Sequence, residues 1–255
     1  MTTAAAPVLT GALAGRVALV TGGSRGLGRE MVLAFAAAGA DVAIASRNAD
    51  TCRAVAVELE ALGRRAFVHP CHVGHWDELP GLVDAVYDEF GRLDVLVNNA
   101  GKSPLYDDLS DVSEKLYDAV LDLNLKGPFR LSVLAAARMA EAGGGCIINI
   151  SSTAALRPDP GVVPYAAAKA GLNAMTVAMA QSFAPTVRVN AIIPGPFATD
   201  VSTHWTEQTR ASLTGHTALG RVGQPHEIAG AALYLASDAA SYTTGSLLTV
   251  DGGSR

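Results

Sequence analysis

The segment VALVTGGSRGLG, residues 17–28, decides the fold of this chain. Residues 17–20 are continuously apolar and rich in valine, which is typical of a β-strand buried on both faces. Residues 26–38 have a helical pattern that ends at Gly39. A buried strand that turns through several glycines into a helix is the opening unit of a parallel α/β sheet.

The same alternation continues along the chain. Apolar runs predict further strands at 42–45, 66–68, 95–97, 146–150, 187–193 and 247–250, and helical patterns separate them at 49–62, 76–90, 113–124, 128–141, 164–183 and 226–236. The pattern predicts an α/β fold of the Rossmann type, a doubly wound parallel sheet of about seven strands with helices on both faces. We expect a flexible tail over 1–13 and one domain over 14–255, because no linker divides it.

Composition excludes several classes of protein. Hydrophobic residues make up 49% of the 255 positions, which is too many for a disordered or fibrous chain. The net charge of −5 without a Lys/Arg run predicts no nucleic-acid partner, and no apolar run is long enough to predict a membrane span. The three scattered cysteines predict neither disulfides nor a metal site. Without the basic start of a signal peptide, we expect a cytoplasmic protein.

The glycine loop predicts a site for a dinucleotide cofactor. Glycines between a first strand and a first helix let the backbone approach a pyrophosphate, whose charge the helix N-terminus stabilises. The residues predicted to contact the cofactor here are Gly22, Ser24, Arg25, Gly26, Leu27 and Gly28.

The end of the second strand bears on the choice between NAD(H) and NADP(H). A carboxylate at this place binds the ribose 2′-hydroxyl of NAD and repels a 2′-phosphate. The chain has Ser46 and Arg47 instead, and Arg25 supplies a second guanidinium. Two guanidiniums suit a phosphate dianion, so NADP(H) is favoured and NAD(H) is the alternative. Arg47 covering the adenine, or lying in water, is the competing interpretation.

Tyr165 and Lys169 form the candidate catalytic pair. Their i, i+4 spacing places a phenol and an ammonium on one helix face. A nearby cation stabilises phenolate, so we expect Lys169 to lower the pKa of Tyr165. Such a tyrosine can donate a proton to a carbonyl oxygen or take one from an alcohol.

These features occur together with Asn98-Asn-Ala-Gly101, Asn124, Ser152 and Pro194-Gly195, at predicted strand ends or on adjoining helices. In this combination the chain closely resembles the short-chain dehydrogenase/reductase family, in its compact single-domain branch, over about residues 14–253. Within the family it is most similar to 3-oxoacyl reductases and to small carbonyl or polyol dehydrogenases.

The resemblance implies a role for each matching residue. Tyr165 is the general acid/base, Lys169 lowers its pKa and holds the nicotinamide ribose, Ser152 binds the substrate oxygen, and Asn124 holds a water of a proton relay. Further residues implied to contact the cofactor are Val73, Asn98, Ala100, Gly101, Pro194, Gly195, Phe197 and Thr199.

Two departures from the family pattern concern the adenine and the substrate. His72 stands where the family has an aspartate that binds the adenine amino group. A neutral imidazole can accept that hydrogen bond, or the ring lies over the base edge. The segment 138–145 carries only Arg138 and a glutamate, so an acidic carrier protein finds little to steer it. A free small carbonyl or hydroxy compound is therefore the preferred substrate.

Residues 197–220 have no clear period, and they predict either a substrate lid or an ordinary surface loop. His204, Trp205 and His216 in this stretch either contact substrate or pack the lid. The Ala-rich stretches 128–141 and 164–183 match family helices that form subunit interfaces, so we expect a homotetramer, with a dimer as the alternative.

Together these observations predict an NADPH-dependent oxidoreductase that reduces a ketone, aldehyde or 3-oxoacyl-type carbonyl to an alcohol. The alternative is an NAD(P)-dependent alcohol, sugar or polyol dehydrogenase that works in the oxidative direction. A non-catalytic dinucleotide-binding regulator is the third hypothesis, and the presence of Tyr165, Lys169 and Ser152 disfavours it.

Overall fold

A computed structural model describes residues 11–200, 202 and 205–254. Seven parallel strands form one sheet in the order β3-β2-β1-β4-β5-β6-β7. The strands are β1 Val17–Thr21, β2 Asp41–Ser46, β3 Ala66–Pro70, β4 Val95–Asn98, β5 Gly145–Ile150, β6 Val187–Pro194 and β7 Leu247–Val250. The predicted doubly wound parallel sheet is confirmed, and every strand lies within two residues of its predicted bounds.

Helices cover both faces of this sheet. They are α1 Gly26–Ala37, α2 Ala49–Ala61, α3 Leu79–Phe90, α4 Glu114–Leu121, α5 Gly127–Glu141, α6 Val163–Ser182, α7 Glu207–Gly215 and α8 Ala229–Ala236. One apolar layer includes Phe35 of α1 and Leu233 of α8, and the other includes Val86 of α3 and Leu131 of α5. No described helix combines the length and the apolar composition that a membrane span requires.

The first described residues differ from the predicted tail. Residues 1–10 lie outside the described part, but Leu13 is fully buried in the core beside α1. Its backbone N–H donates to the Ala38 carbonyl at 3.0 Å. Leu13 therefore belongs to the folded domain, because a leucine that fills the core stabilises it by removing apolar surface from water.

The break predicted between residues 124 and 128 does not occur. A π-helical turn, Asp122–Lys126, joins α4 to α5 without interrupting the helical path. Pro128 stands in the first turn of α5, directly after the π-turn. π-turns are rare and occur often at functional sites, and this one carries Asn124.

A chain of buried hydrogen bonds ties the centre of the sheet to two helices. The Asn98 amide donates to Ser132 Oγ of α5 and to Asn149 Oδ1 of β5, both at 2.9 Å. The Asn149 amide in turn donates to Thr176 Oγ1 of α6 at 2.9 Å. All four side chains are buried. Loss of one member leaves its partners without hydrogen bonds away from water, which is costly.

We therefore expect Asn98→Ala to lower the free energy of unfolding by about 1–3 kcal/mol, measured by urea denaturation. Gln181→Ala removes an amide from an exposed position of α6 and serves as the control. The control should stay within about 0.5 kcal/mol of wild type. Equal, small effects of the two changes would show that the buried network contributes nothing.

Candidate active site

A cleft of about 500 Å³ opens at the carboxyl ends of the strands. Ligands bind at this edge in parallel α/β sheets, where the strand order reverses beside β1. All the predicted cofactor contacts except Asn98 line the cleft: Gly22, Ser24, Arg25, Gly26, Leu27, Gly28, Ser46, Arg47, His72, Val73, Ala100, Gly101, Tyr165, Lys169, Pro194, Gly195, Phe197 and Thr199. Of the predicted catalytic residues, Ser152 lines it as well, whereas Asn124 lies behind its wall.

The glycine loop folds back on itself so tightly that side chains are excluded. Gly22 has φ +65°, a backbone conformation that favours glycine. A Cβ at Gly28 would lie 2.3 Å from the Gly22 carbonyl oxygen, well inside contact distance. The first turn of α1 begins at Gly26 beside the cleft, and its N–H groups lack intrahelical partners. The cleft therefore has a backbone surface and a helix N-terminus that suit an anion.

Asn99, which was not among the predicted site residues, holds this loop in place. Its Nδ2 donates to the Thr21 and Gly22 carbonyls at 2.9 and 3.1 Å. The Thr21 hydroxyl accepts the N–H groups of Asn99 and Ala100 at 3.0 and 3.1 Å. The prediction for Asn98 as a cofactor contact is corrected, because that side chain is buried in the network described above. The signal lay in the motif itself: adjacent residues at a strand end point to opposite sides.

Two arginines lie at the outer part of the cleft. Arg47, just beyond β2, is exposed, and among the described residues it forms no hydrogen bond or ion pair. Arg25 lies 3.7 Å from the Asp200 carboxylate, and both side chains are mostly exposed. Exposed pairs of this kind are weak, so Arg25 can exchange its partner at little cost.

The His72 ring lies at the end of β3 and stacks on His75, with ring centroids 4.1 Å apart. Its Nδ1 accepts the Gly74 N–H at 3.2 Å. Burial lowers the pKa of His72, and the nearby His75 and Arg47 act in the same direction. The imidazole is thus held neutral, and Nδ1 is no longer available to accept a hydrogen bond from a ligand.

Tyr165, Ser152 and Lys169 lie together at the other end of the cleft. Burial raises the pKa of Tyr165, and a hydrogen bond with Ser152 opposes this effect. Lys169 is buried, its Nζ lies 5.7 Å from the centre of the Tyr165 ring, and it donates to the Ile150 carbonyl at 2.8 Å. Burial lowers the pKa of Lys169 to about 7. The expected lowering of the Tyr165 pKa by Lys169 is therefore not found in this structure, where burial of the phenol outweighs its neighbours.

Asn124 points an unused acceptor toward the same region. Its Nδ2 donates to the Lys102 and Val120 carbonyls, both at 2.9 Å, while its buried Oδ1 has no protein partner. A Cβ at Gly101 would lie 2.7 Å from this Oδ1 and 3.7 Å from Lys169 Nζ. The glycine therefore leaves space beside both polar atoms, and a buried acceptor without a partner favours an ordered water there.

The stretch 197–220 contributes to the cleft through its first part. Phe197, Thr199 and Trp205 line it, whereas His216 is exposed at the end of α7, where its Nδ1 lies 2.7 Å from the Ser212 carbonyl oxygen. His204 lies outside the described residues. Lys102 and Ser103 line the cleft too.

Burial keeps the cysteine thiols protonated, including that of Cys71, which lines the cleft. All three are free and buried, and burial raises the pKa of Cys71 to about 12 and that of Cys146 to about 11. Within the described ranges, no three His, Cys, Asp or Glu side chains come together as metal ligands.

The chain is similar to known proteins over nearly its whole length. A family model described as enoyl-(acyl carrier protein) reductase matches residues 22–255. An uncharacterized oxidoreductase of Mycobacterium tuberculosis is 42% identical over 241 residues, covering 93% of this chain and 91% of that protein. The 3-oxoacyl-[acyl-carrier-protein] reductase of Thermotoga maritima is 36% identical over 244 residues, 94% of this chain and 98% of that protein.

A solved structure extends the similarity. A 7α-hydroxysteroid dehydrogenase, described as complexed with NADH and 7-oxo glycochenodeoxycholic acid, has a TM-score of 0.91 at 37% identity and covers 95% of both chains. The fold, the glycine loop and these matches all indicate the same family. The chain belongs to the short-chain dehydrogenase/reductase family, whose oxidoreductases act on CH–OH and C=O groups.

Proposed function

We propose that this protein is an NADPH-dependent reductase that converts the carbonyl of a small molecule to an alcohol. The observation that carries the proposal is the meeting of Tyr165, Ser152 and Lys169 in the cleft that also contains the glycine loop. One domain would then supply both the cofactor site and the proton-transfer group.

The shape of the cleft fits a nicotinamide dinucleotide. A Cβ at Gly28 would obstruct the backbone that meets the pyrophosphate, and the first turn of α1 suits its charge. Arg25 and Arg47 would bind a 2′-phosphate, and Thr199 would contact the nicotinamide end together with Pro194 and Gly195. When bound, the cofactor supplies the hydride for reduction or accepts it in the reverse direction.

Tyr165 holds the proton that the substrate oxygen receives. Since burial raises its pKa, the phenol is protonated near neutral pH, which is the form that a reductase needs. The Ser152 hydroxyl forms a hydrogen bond with Tyr165 and would bind the same substrate oxygen. The proton is replaced from solvent, and Lys169 Nζ together with the free Asn124 Oδ1 marks a route for a water-mediated relay.

The surface around Arg138 disfavours a substrate that is attached to an acidic carrier protein. Arg138 pairs with Asp84 at 3.0 Å and stacks over the Tyr87 ring at 3.9 Å. An arginine held in this way offers little to an incoming acidic partner. We therefore propose a free carbonyl compound, which Trp205, Lys102 and Ser103 would surround.

The alternative of an NAD(P)-dependent alcohol, sugar or polyol dehydrogenase is favoured by one observation, the similarity to a hydroxysteroid dehydrogenase described with NADH. The homotetramer, with the dimer as its alternative, and the cytoplasmic location stay predictions of the sequence.

The first test is Tyr165→Phe, assayed with NADPH against a panel of ketones, aldehydes, diketones and keto-sugars. Loss of the acidic hydroxyl should lower kcat by about 10²- to 10⁴-fold while the Kd for NADPH stays within a factor of about three. Tyr242→Phe, at a fully exposed position, is the control and should keep full activity. An active Tyr165→Phe enzyme would remove the acid/base assignment.

The second test separates the two cofactors. We expect Arg47→Ala to weaken NADPH binding by about tenfold or more, because a charge-assisted bond to phosphate is lost, and to leave NADH binding nearly unchanged. Arg53→Ala, at an exposed position of α2, is the matched control. Calorimetric titration measures both affinities, and an equal loss for NADPH and NADH would contradict a contact with the 2′-phosphate.

The third test uses the buried Lys169. Its pKa is about 7 in the fold and 10.5 as the ordinary value, so between these pH values the unfolded chain binds the extra proton. The free energy of unfolding should therefore rise with pH relative to Lys169→Met, by about 2 kcal/mol from pH 7 to pH 9. Lys115→Met, at an exposed site, should show no such trend against wild type. If the difference in free energy of unfolding between wild type and Lys169→Met did not change with pH, the Lys169 ammonium would stay charged in the fold.

A further inference from the structure

The end of β3 forms the outer wall of the cleft. Because the sheet runs β3-β2-β1, the glycine loop after β1, Arg47 after β2 and His72 after β3 lie in succession along one edge. A dinucleotide with its pyrophosphate at α1 and its ribose at the end of β2 would extend its base toward β3. His72 would then face the purine, and its role toward that base rests on the proposed cofactor.

The backbone determines which nitrogen of His72 carries the proton. The Gly74 N–H can only donate, so Nδ1 is the acceptor in their 3.2 Å hydrogen bond. A neutral imidazole has one acceptor and one N–H, so the hydrogen lies on Nε2. Within the described chain, Nε2 forms no hydrogen bond, and the partly buried ring lies in the cleft wall.

Neighbouring groups hold the ring in this orientation. His75 stacks on it with an interplanar angle of 20°, and His75 Nδ1 lies 2.6 Å from Glu78 Oε1. The other Glu78 oxygen accepts the backbone N–H of His72 at 2.8 Å. Burial, His75 and Arg47 lower the pKa of His72, and only Glu78 raises it among the charged neighbours, so the neutral ring prevails near pH 7.

We propose that His72 binds the purine of the cofactor as a hydrogen-bond donor, through Nε2–H to an acceptor on the edge of the base. Adenine presents a ring nitrogen as an acceptor, and a 6-oxo purine presents an oxygen. A donor at this place accommodates both bases, whereas a group that only accepts favours the 6-amino purine. His72 thus determines base specificity at this site, and it allows both the 6-amino and the 6-oxo purine to bind.

The test measures binding alone, without substrate, at pH 8, where the imidazole is neutral. The probes are NADPH and its deamino analogue, reduced nicotinamide hypoxanthine dinucleotide phosphate, titrated into the full-length protein and followed by calorimetry. Wild type should bind the two within about threefold of each other. A preference for NADPH above about tenfold would show that His72 accepts from the amino group, and would overturn the proposal.

Two variants distinguish a hydrogen bond donated by His72 from a contact made by its ring alone. His72→Phe keeps an aromatic ring against His75 but removes the N–H, so both dinucleotides should bind about three- to tenfold more weakly. His72→Asp supplies only acceptors, so it should keep NADPH within about threefold and bind the deamino analogue at least about tenfold more weakly. Thermal melts of both variants check that they fold.

The outcomes distinguish this inference from the proposed function. If His72→Phe binds both dinucleotides as tightly as wild type, or His72→Asp treats them alike, the donor role fails while the cofactor assignment stands. If wild type binds neither NADPH nor NADH, the proposed function fails, and the inference fails with it.

Discussion

The parallel pairing of β1 with β2 on one side and β4 on the other is the constraint on which the rest of the structure depends. Because the strand order reverses at β1, the connections leave to opposite faces and a crevice opens between the strand ends. The register brings the segments after β1, β4, β5 and β6 to one edge, although up to about 170 residues separate them along the chain.

Side chains at the strand ends form hydrogen bonds that hold the backbone around this crevice in place. The Asn99 amide binds the backbone of the glycine loop, and the Thr21 hydroxyl accepts the backbone N–H groups that follow β4. Asn98 and Asn149 connect the sheet to the helices behind it. These bonds satisfy backbone and amide groups that could not otherwise be buried. The neighbouring Asn98 and Asn99 thus divide two tasks: one holds the sheet together, and the other shapes the loop that faces the ligand.

Burial, more than pairing of charges, determines the protonation of the site. It raises the pKa of Tyr165 and lowers the pKa values of Lys169 and His72, so each group is shifted toward its neutral form. A cleft with few fixed charges suits a neutral carbonyl at one end, while the exposed Arg25 and Arg47 keep positive charge at the other. The same cleft therefore has polar groups shifted toward their neutral forms at one end and two exposed guanidinium groups at the other.

The sequence by itself determined the fold and most of the cleft, because apolar periodicity and glycine positions act locally and report directly on strands, helices and turns. It placed Tyr165, Lys169 and Ser152 correctly at strand ends or on adjoining helices. Only the tertiary structure decided that Asn99 rather than Asn98 reaches the cleft, that a π-turn carries Asn124, and that Leu13 belongs to the core. It also decided the tautomer of His72 and the direction of the Tyr165 pKa. These properties depend on burial and on hydrogen bonds from distant segments. For Asn98 and Asn99, the alternation of side chains along a strand predicts that only one of the two reaches the cleft, and the tertiary structure decided which.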